Sequence, residues 1–289
     1  MGMNPRLLRP RASGFNPKNI AGLSLWLDAS DSSTITLNGA TAVSEWRDKS
    51  GNGYAVSQAT ANNQPALTGT IKGRACIEFD GVNDYLFSDG TGLAAIYSGD
   101  KSVTVFCVGE AHDAAENVAS ASGTWFSFGS TISGTQFLYC RTNSGAGTLQ
   151  ISIRNDASNT SGGFTAVQAG PAANLAAGKG DFFICSFSSP SQGLGVIRAH
   201  NVMTNVGDSI PGPRNMQGST TTGATARVAG NSTTDRFTVG ALGRNTFADF
   251  YPARLSEIII YNRVISDAER AALVRSLGKK YNNEAVPVL

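Results

Sequence analysis

The strongest claim to chemistry in this chain is made by Asp48, Ser50 and Asn52, in the run Asp48-Lys49-Ser50-Gly51-Asn52-Gly53. Oxygen-bearing side chains at the first, third and fifth positions, with glycine at the sixth, open a calcium-binding loop. The twelfth position is Ala59, where such a loop needs a bidentate glutamate. A tight turn built on Asn-Gly chemistry is therefore preferred, and calcium is kept as the weaker alternative. Glu110, His112, Asp113 and Glu116 form a second polar cluster after an apolar run. They have the donor types to touch a cation, although charged loop side chains are more often simply solvated. His112 and His200 are the only histidines and there is no C-x-x-C pair, which argues against structural zinc. Cys76, Cys107, Cys140 and Cys185 sit in apolar runs, where cysteine behaves as a small hydrophobe, so buried thiols are expected rather than a disulfide framework. No G-x-S-x-G elbow, phosphate-binding loop or complete dinucleotide fingerprint is present.

The elements that must position such residues are mostly strands. Gly at 33 and a charged fraction of 15% suit many turns and tight strands rather than a helical bundle. Leu23, Leu25 and Leu27 alternate with polar neighbours as a half-buried strand does. Further strands are expected over 44–48, 65–80, 102–109, 124–129, 136–141, 147–154, 163–168, 181–187, 194–200 and 237–242, with residues 81–84 as a hairpin turn and an aromatic corner at 247–251. The apolar run Ile258-Ile259-Ile260-Tyr261 reads as a core strand. Directly after it, Ser266 and Glu269 have the spacing of a capping box, and Leu273 and Leu277 share one helical face, which predicts a helix over 266–280. One late helix against a β body is the expected architecture.

Charge and hydropathy narrow the partners. A net charge of +2 carries no global nucleic-acid signature, and no segment is apolar enough to span a membrane or serve as an export signal. The basic residues are instead local. Arg6, Arg9, Arg11 and Lys18 precede the first acid, Asp28, and share their segment with Pro5, Pro10 and Pro17. Residues 1–20 therefore read as an extended basic arm in which Leu7, Leu8 and Phe15 would be apolar anchors. Residues 203–235 form a polar, Gly- and Thr-rich excursion in which Arg214, Asn215 and Asn231 are candidate glycan contacts.

The segments LWLDASD (25–31), WRDKSGNG (46–53), FDGVNDYL (79–86) and SEIIIYNRVIS (256–266) resemble the concanavalin A-like lectin/glucanase superfamily, and within it the LamG-like jelly-roll branch. The resemblance spans roughly residues 21–281 and leaves 282–289 as a tail. It implies an all-β, concanavalin A-like jelly-roll sandwich of two antiparallel sheets with one C-terminal helix, whose first and last strands are neighbours. Glucanases of that superfamily carry a Glu-x-Asp-x-x-Glu run, in which period-2 spacing puts two carboxylates on one face. Here the run is Glu78-Phe79-Asp80-Gly81-Val82-Asn83. Asn83 cannot donate and retrieve a proton, and Asp84 is one residue late, so no hydrolase is expected. What the resemblance implies is a non-enzymatic bacteriophage virion protein, as capsid decoration, fibre or tail component. It would be made in the host cytoplasm and assembled with other virion proteins as a homo-oligomer, a trimer among the symmetric options, with adhesion to host-surface glycans. A carbohydrate-binding module of a secreted bacterial protein is the alternative.

Overall fold

The computed structural model describes residues 15–98, 102–111, 123–132, 136–143, 148–153, 164–167, 182–189, 198–203, 214–216, 233–250 and 252–281. The strands of the first third are β1 (Leu23–Asp28), β2 (Ile35–Asn38), β3 (Ala42–Arg47), β4 (Ala55–Ser57), β5 (Ala66–Ile71), β6 (Arg74–Asp80) and β7 (Leu86–Asp89). A single turn of helix, α1 (Thr91–Ala94), separates them from β8 (Val103–Ala111), β9 (Gly123–Gly129), β10 (Gln136–Asn143), β11 (Thr148–Ile153) and β12 (Phe164–Val167). Then come β13 (Phe182–Ser189), β14 (Arg198–Met203), β15 (Arg214–Met216), β16 (Arg236–Val239), β17 (Leu242–Gly243), β18 (Phe247–Ala248) and β19 (Pro252–Tyr261). The helix α2 (Asp267–Lys280) closes the described chain.

Hydrogen bonding curls these strands into an antiparallel sheet with two facing halves, and β17 and β18 form a separate small hairpin. One half is organised on β19. Its C-terminal part pairs with β1, from Leu23↔Tyr261 to Asp28↔Glu257, its N-terminal part with β6, and its other edge with β8. The opposite half runs β2–β3–β4–β7–β16–β9–β10–β11–β12. A bridge between Ala42 and Ala66 links the two halves along one edge.

The burial pattern of β19 shows why its last four residues, Ile258 to Tyr261, are all apolar. Ile258 and Ile260 face the opposite half, among Leu25, Leu27, Val105, Cys107, Phe126, Phe128, Phe237 and Val239. Ile259 and Tyr261 face the other way and are covered with Phe106, Val108 and Cys76 by Leu273, Val274 and Leu277 of α2. A strand buried on both sides cannot alternate apolar with polar, so four consecutive apolar residues are what this position requires. Burying each of those aliphatic helix side chains contributes roughly 1.5–3 kcal/mol. The helix begins as expected, with the Ser266 hydroxyl accepting from the Glu269 N–H and the Glu269 carboxylate accepting from the Ser266 N–H.

Three expectations need correction. Residues 65–80 are not one strand but the hairpin β5–β6, whose turn residues Lys72 (φ 49°) and Gly73 (φ 79°) both adopt the left-handed region of a two-residue turn. Residues 81–84 are not a hairpin turn. They carry the chain from β6 in one half to β7 in the other, because β6 pairs with β5 and β19 while β7 pairs with β16 and β4. The strand expected over 194–200 is Arg198–Met203.

Candidate functional site

The most ligand-like surface is aromatic and lies on the outer side of the β7–β16 pair. Along β7, Leu86 enters the core, so Phe87 points outward by the two-residue period. Arg236 of β16 likewise points outward, while Phe237 is buried among Phe126 and Phe128. The β17–β18 hairpin then folds back over this face. Gly243 makes the approach feasible, since a Cβ there would fall 1.9 Å from the Thr238 hydroxyl. The Gly243 N–H donates to Ser127 Oγ, 2.9 Å away, which fastens the hairpin to β9.

This close approach lays Phe247 against Tyr85, with ring centroids 4.0 Å apart and an interplanar angle of 27°. Phe87 lies 5.2 Å from Phe247 and 5.7 Å from Tyr85, and Phe250 lies 6.0 Å from Tyr85. All four rings are half-buried, so each keeps part of its surface in solvent. The Arg236 guanidinium sits 4.4 Å from the Phe247 ring and 5.4 Å from Phe87. It donates two bonds to Asp89, of 2.6 and 2.7 Å, and a further one to the Arg244 carbonyl. The exposed residues Asn245 and Thr246 form the hairpin tip. Half-exposed rings edged by the Asp89 carboxylate, the Asn245 amide and the Thr246 hydroxyl can stack against an apolar ring face while bonding its hydroxyls, with the buried Arg236 holding Asp89 in place.

None of the three tryptophans belongs to this cluster. Trp46 and Trp125 are fully buried. Trp125 is the extra residue of a β-bulge, because Cys140 pairs with Phe126 and Arg141 with Thr124, and the bulge turns both Trp125 and Phe126 into the core. Trp26 is half-buried, with Lys49 Nζ 4.4 Å from its ring and its indole N–H donating 2.7 Å to Glu257. Tyr85 and Phe247 belong to segments noted for other reasons, one to the FDGVNDYL motif and the other to an aromatic corner. Only the fold joins them.

Asp48, Ser50 and Asn52 do come together, as a clasp. Asp48 Oδ1 accepts from the N–H groups of Trp26 (2.8 Å) and Ser50 (2.7 Å), and Oδ2 accepts from Ser50 Oγ (2.5 Å) and the Asn52 N–H (3.2 Å). The Asn52 amide donates to the carbonyls of Leu23 and Ser24. The turn between β3 and β4 is thereby tied to β1.

The carboxylates of the glucanase-like run are also engaged within the protein. Glu78 pairs with Arg254 at 3.3 Å and accepts from Thr68 Oγ1 at 3.0 Å. Asp80 Oδ1 accepts from the N–H groups of Val82, Asn83 and Asp84, and Asp84 Oδ2 accepts from the Asp80 N–H. Burial and the neighbouring Asp80 charge push Asp84 up to about 6. Among the described residues no group of three His, Cys, Asp or Glu is arranged to hold a metal ion, and no helix is long and apolar enough to cross a membrane.

Phe15 and Lys18, at the end of the expected arm, lie on the body. Phe15 packs against the α2 cluster and its carbonyl accepts from Ser276, while Pro17 is buried and its carbonyl accepts from Tyr261. Arg6, Leu7, Leu8, Arg9 and Arg11 lie outside the described residues, as do His112, Asp113, Glu116 and Asn231. Glu110 is in β8, His200 in β14, and Arg214 and Asn215 in β15.

No family model matches the chain, and no curated protein matches it in sequence. Solved structures do match it in shape. The binding domain of botulinum neurotoxin serotype C1 is 11% identical with a TM-score of 0.57, covering 91% of this chain and 53% of its own. A structure described by the dependence of botulinum neurotoxin type C cell entry on two ganglioside molecules is 10% identical with a TM-score of 0.54, covering 89% and 51%. Trypanosoma rangeli sialidase in complex with sialic acid is 12% identical with a TM-score of 0.52, covering 90% and 33%. The chain thus spans about half the length of the toxin domains and a third of the sialidase chain, and what it shares with all of them is a β-sandwich fold.

Proposed function

We propose that this chain is a non-enzymatic, lectin-like sandwich that binds a glycan on the Tyr85, Phe87, Phe247 and Phe250 face. The observation that carries the reading is the half-exposed aromatic cluster with the Arg236–Asp89 pair at its margin. Sugar rings present apolar C–H faces bordered by hydroxyls, and this surface offers rings bordered by paired acceptors and donors. A binding rather than hydrolytic role agrees with the engagement of Glu78 by Arg254 and of Asp80 by three backbone N–H groups, which leaves neither poised over a ligand. Asp48, whose oxygens are filled by protein donors, acts in this reading as a structural clasp with no calcium requirement.

The setting we propose is a bacteriophage particle on which the sandwich is displayed with partner virion proteins. The LamG-like motifs and the basic segment ahead of Phe15 support it. The ganglioside and sialic acid named for the toxin and sialidase neighbours make sialylated glycans the first probes to use beside neutral ones. Retention of the purified protein by a glycan panel is expected, with Phe247→Ala and Tyr85→Ala each weakening it by about 1 kcal/mol, roughly five-fold, while lowering the thermal unfolding midpoint by only a few degrees through the lost ring packing. Failure of the wild-type protein to retain any glycan ends this reading. Co-sedimentation with intact particles separates the virion setting from a secreted binding module.

A further inference from the structure

On the helix-covered side of the sheet, remote from the aromatic face, two carboxylates stand directly opposite each other where β1 pairs with β19: Asp28↔Glu257. Facing cross-strand side chains lie within about 5 Å at Cβ, and two acids in that register repel unless something stands between them. Both are almost completely buried, at 3% and 1% exposed. The last helical residue, Lys280, reaches between them. Its Nζ is 2.8 Å from Asp28 Oδ1 and 2.7 Å from Glu257 Oε2. Lys49 approaches from the other side, 2.8 Å from Asp28 Oδ2, and Ser30 Oγ donates to Asp28 Oδ1 at 2.6 Å. Trp26 and Tyr281 complete the enclosure, both donating to Glu257.

We propose that this is a self-modification site, at which Lys280 Nζ and Asp28 Cγ condense to an isopeptide bond with Glu257 carrying the proton. The balance is that of an ammonium and a carboxylate becoming an amide and water. Glu257 accepts one proton from the Lys280 ammonium, releasing a neutral amine whose lone pair attacks Asp28 Cγ. The Lys49 ammonium, already bonded to Oδ2, stabilises the negative charge that develops on that oxygen. Glu257 returns its proton to Oδ1. As the tetrahedral carbon collapses, the C–Oδ1 bond breaks and Oδ1 leaves as water with a second proton from the nitrogen. The amide keeps one N–H, and no oxidant, reductant or further reactant is needed.

The two acids suit opposite parts. Burial above all, with the Asp28 charge adding to it, raises Glu257, against the opposing Lys280 charge. Burial acts on Asp28 too, but the Lys280 charge and the bonds from Lys280, Lys49 and Ser30 outweigh it and keep its carboxyl low. A proton released by Lys280 therefore has a receptive neighbour beside a carboxylate held in place for attack. The bond would close a covalent loop from residue 28 to residue 280, locking the first strand to the end of α2.

Intact mass spectrometry of the full-length, folded and then denatured protein tests this directly. The expected result is a mass lower than that of the unmodified chain by one water, together with a branched proteolytic peptide joining the Asp28 and Lys280 segments. Lys280→Arg should restore the full mass. Glu257→Gln, checked for cooperative unfolding, should fold and remain unlinked. A wild-type protein of full mass after prolonged incubation at neutral pH overturns the proposal and leaves the cluster a non-covalent ion pair. A loss of water that persists in Lys280→Arg overturns it as well, since an aspartyl succinimide elsewhere would behave so.

Discussion

Asp84 is a buried carboxyl beside another acid, Asp80, and burial first, then the Asp80 charge, raises it from 3.8 to about 6. A carboxyl whose folded-state value exceeds its unfolded one favours the folded state when protonated. Its contribution is complete below about 3.8 and is lost as pH rises through 6. Asp84→Asn, which keeps an oxygen for the Asp80 N–H, is therefore expected to raise the thermal midpoint relative to wild type at pH 8 and to change it little at pH 3.5. An equal gain at both values would mean that the ionised form is not what costs stability. Asp48 illustrates a different point at the same scale. Its spacing to Ser50 and Asn52 is common to cation loops and to side-chain-capped turns, because both use short oxygen-bearing side chains in a tight bend. What distinguishes them is where the remaining donors come from. Here one is the Trp26 N–H of another strand, which the local sequence does not reveal.

The best-read element was α2, because its signals are local. Ser266 and Glu269 are three residues apart and form the reciprocal cap, and Arg263 adds bonds of 3.0 and 2.5 Å to the Glu269 carboxylate. The Arg263 bond first, then the Ser266 backbone, hold Glu269 down to about 2. Glu269→Ala should cost about 1 kcal/mol at neutral pH by removal of the cap. Since a lowered carboxyl stabilises above its unfolded value and loses that contribution as pH falls through its folded one, the difference from wild type should shrink between about 4.5 and 2 in acid unfolding curves. The span of β1 was equally legible, but its half-buried alternation was not borne out: a bulge between Leu23 and Leu25 turns Leu23 to the α2 side, and Ser24 and Asp28 are buried as well. The β5–β6 hairpin was not legible, because its turn is Lys72-Gly73 rather than a sequence marked by Asn or Asp, and the Ile71↔Arg74 pairing across a two-residue turn, rather than propensity, holds the lysine in a left-handed conformation. The aromatic face was illegible for a stronger reason. It joins β7 to the β17–β18 hairpin, and the hairpin's position depends on Gly243 passing over Thr238, a contact between distant segments that no local pattern encodes.

At the scale of the whole molecule the chain builds three layers, and the outermost is assembled from both ends of the described region. The opposite sheet half and the β19 half bury one core between them, and α2 buries a second on the far side of β19. That second core is sealed by residues preceding β1. Ile20 is 3% exposed, Phe15 packs beside it, and the carbonyls of Phe15 and Pro17 accept from Ser276 and Tyr261. The basic segment ahead of Phe15 is therefore attached to a fixed point on the helix, and the residues on either side of that point should answer differently to deletion. Removing residues 2–14 is expected to leave the thermal midpoint unchanged, because Phe15, Pro17 and Ile20, whose contacts seal the α2 layer, are all retained. In the virion setting proposed above, it should still remove the protein from assembled particles, through loss of the clustered arginines and their apolar neighbours. Removing residues 2–20 takes away Ile20, Phe15 and two hydrogen-bond acceptors, at a cost on the order of 3 kcal/mol. For a chain of this size that should lower the midpoint by about 5 to 10 °C. Calorimetry on the two truncations, followed by co-sedimentation of the shorter deletion with particles, separates a segment that holds the fold from one that holds a partner. Equal destabilisation by both would place the whole N-terminal stretch within the α2 layer, and full incorporation of the 2–14 deletion would move the assembly interface onto the sandwich itself.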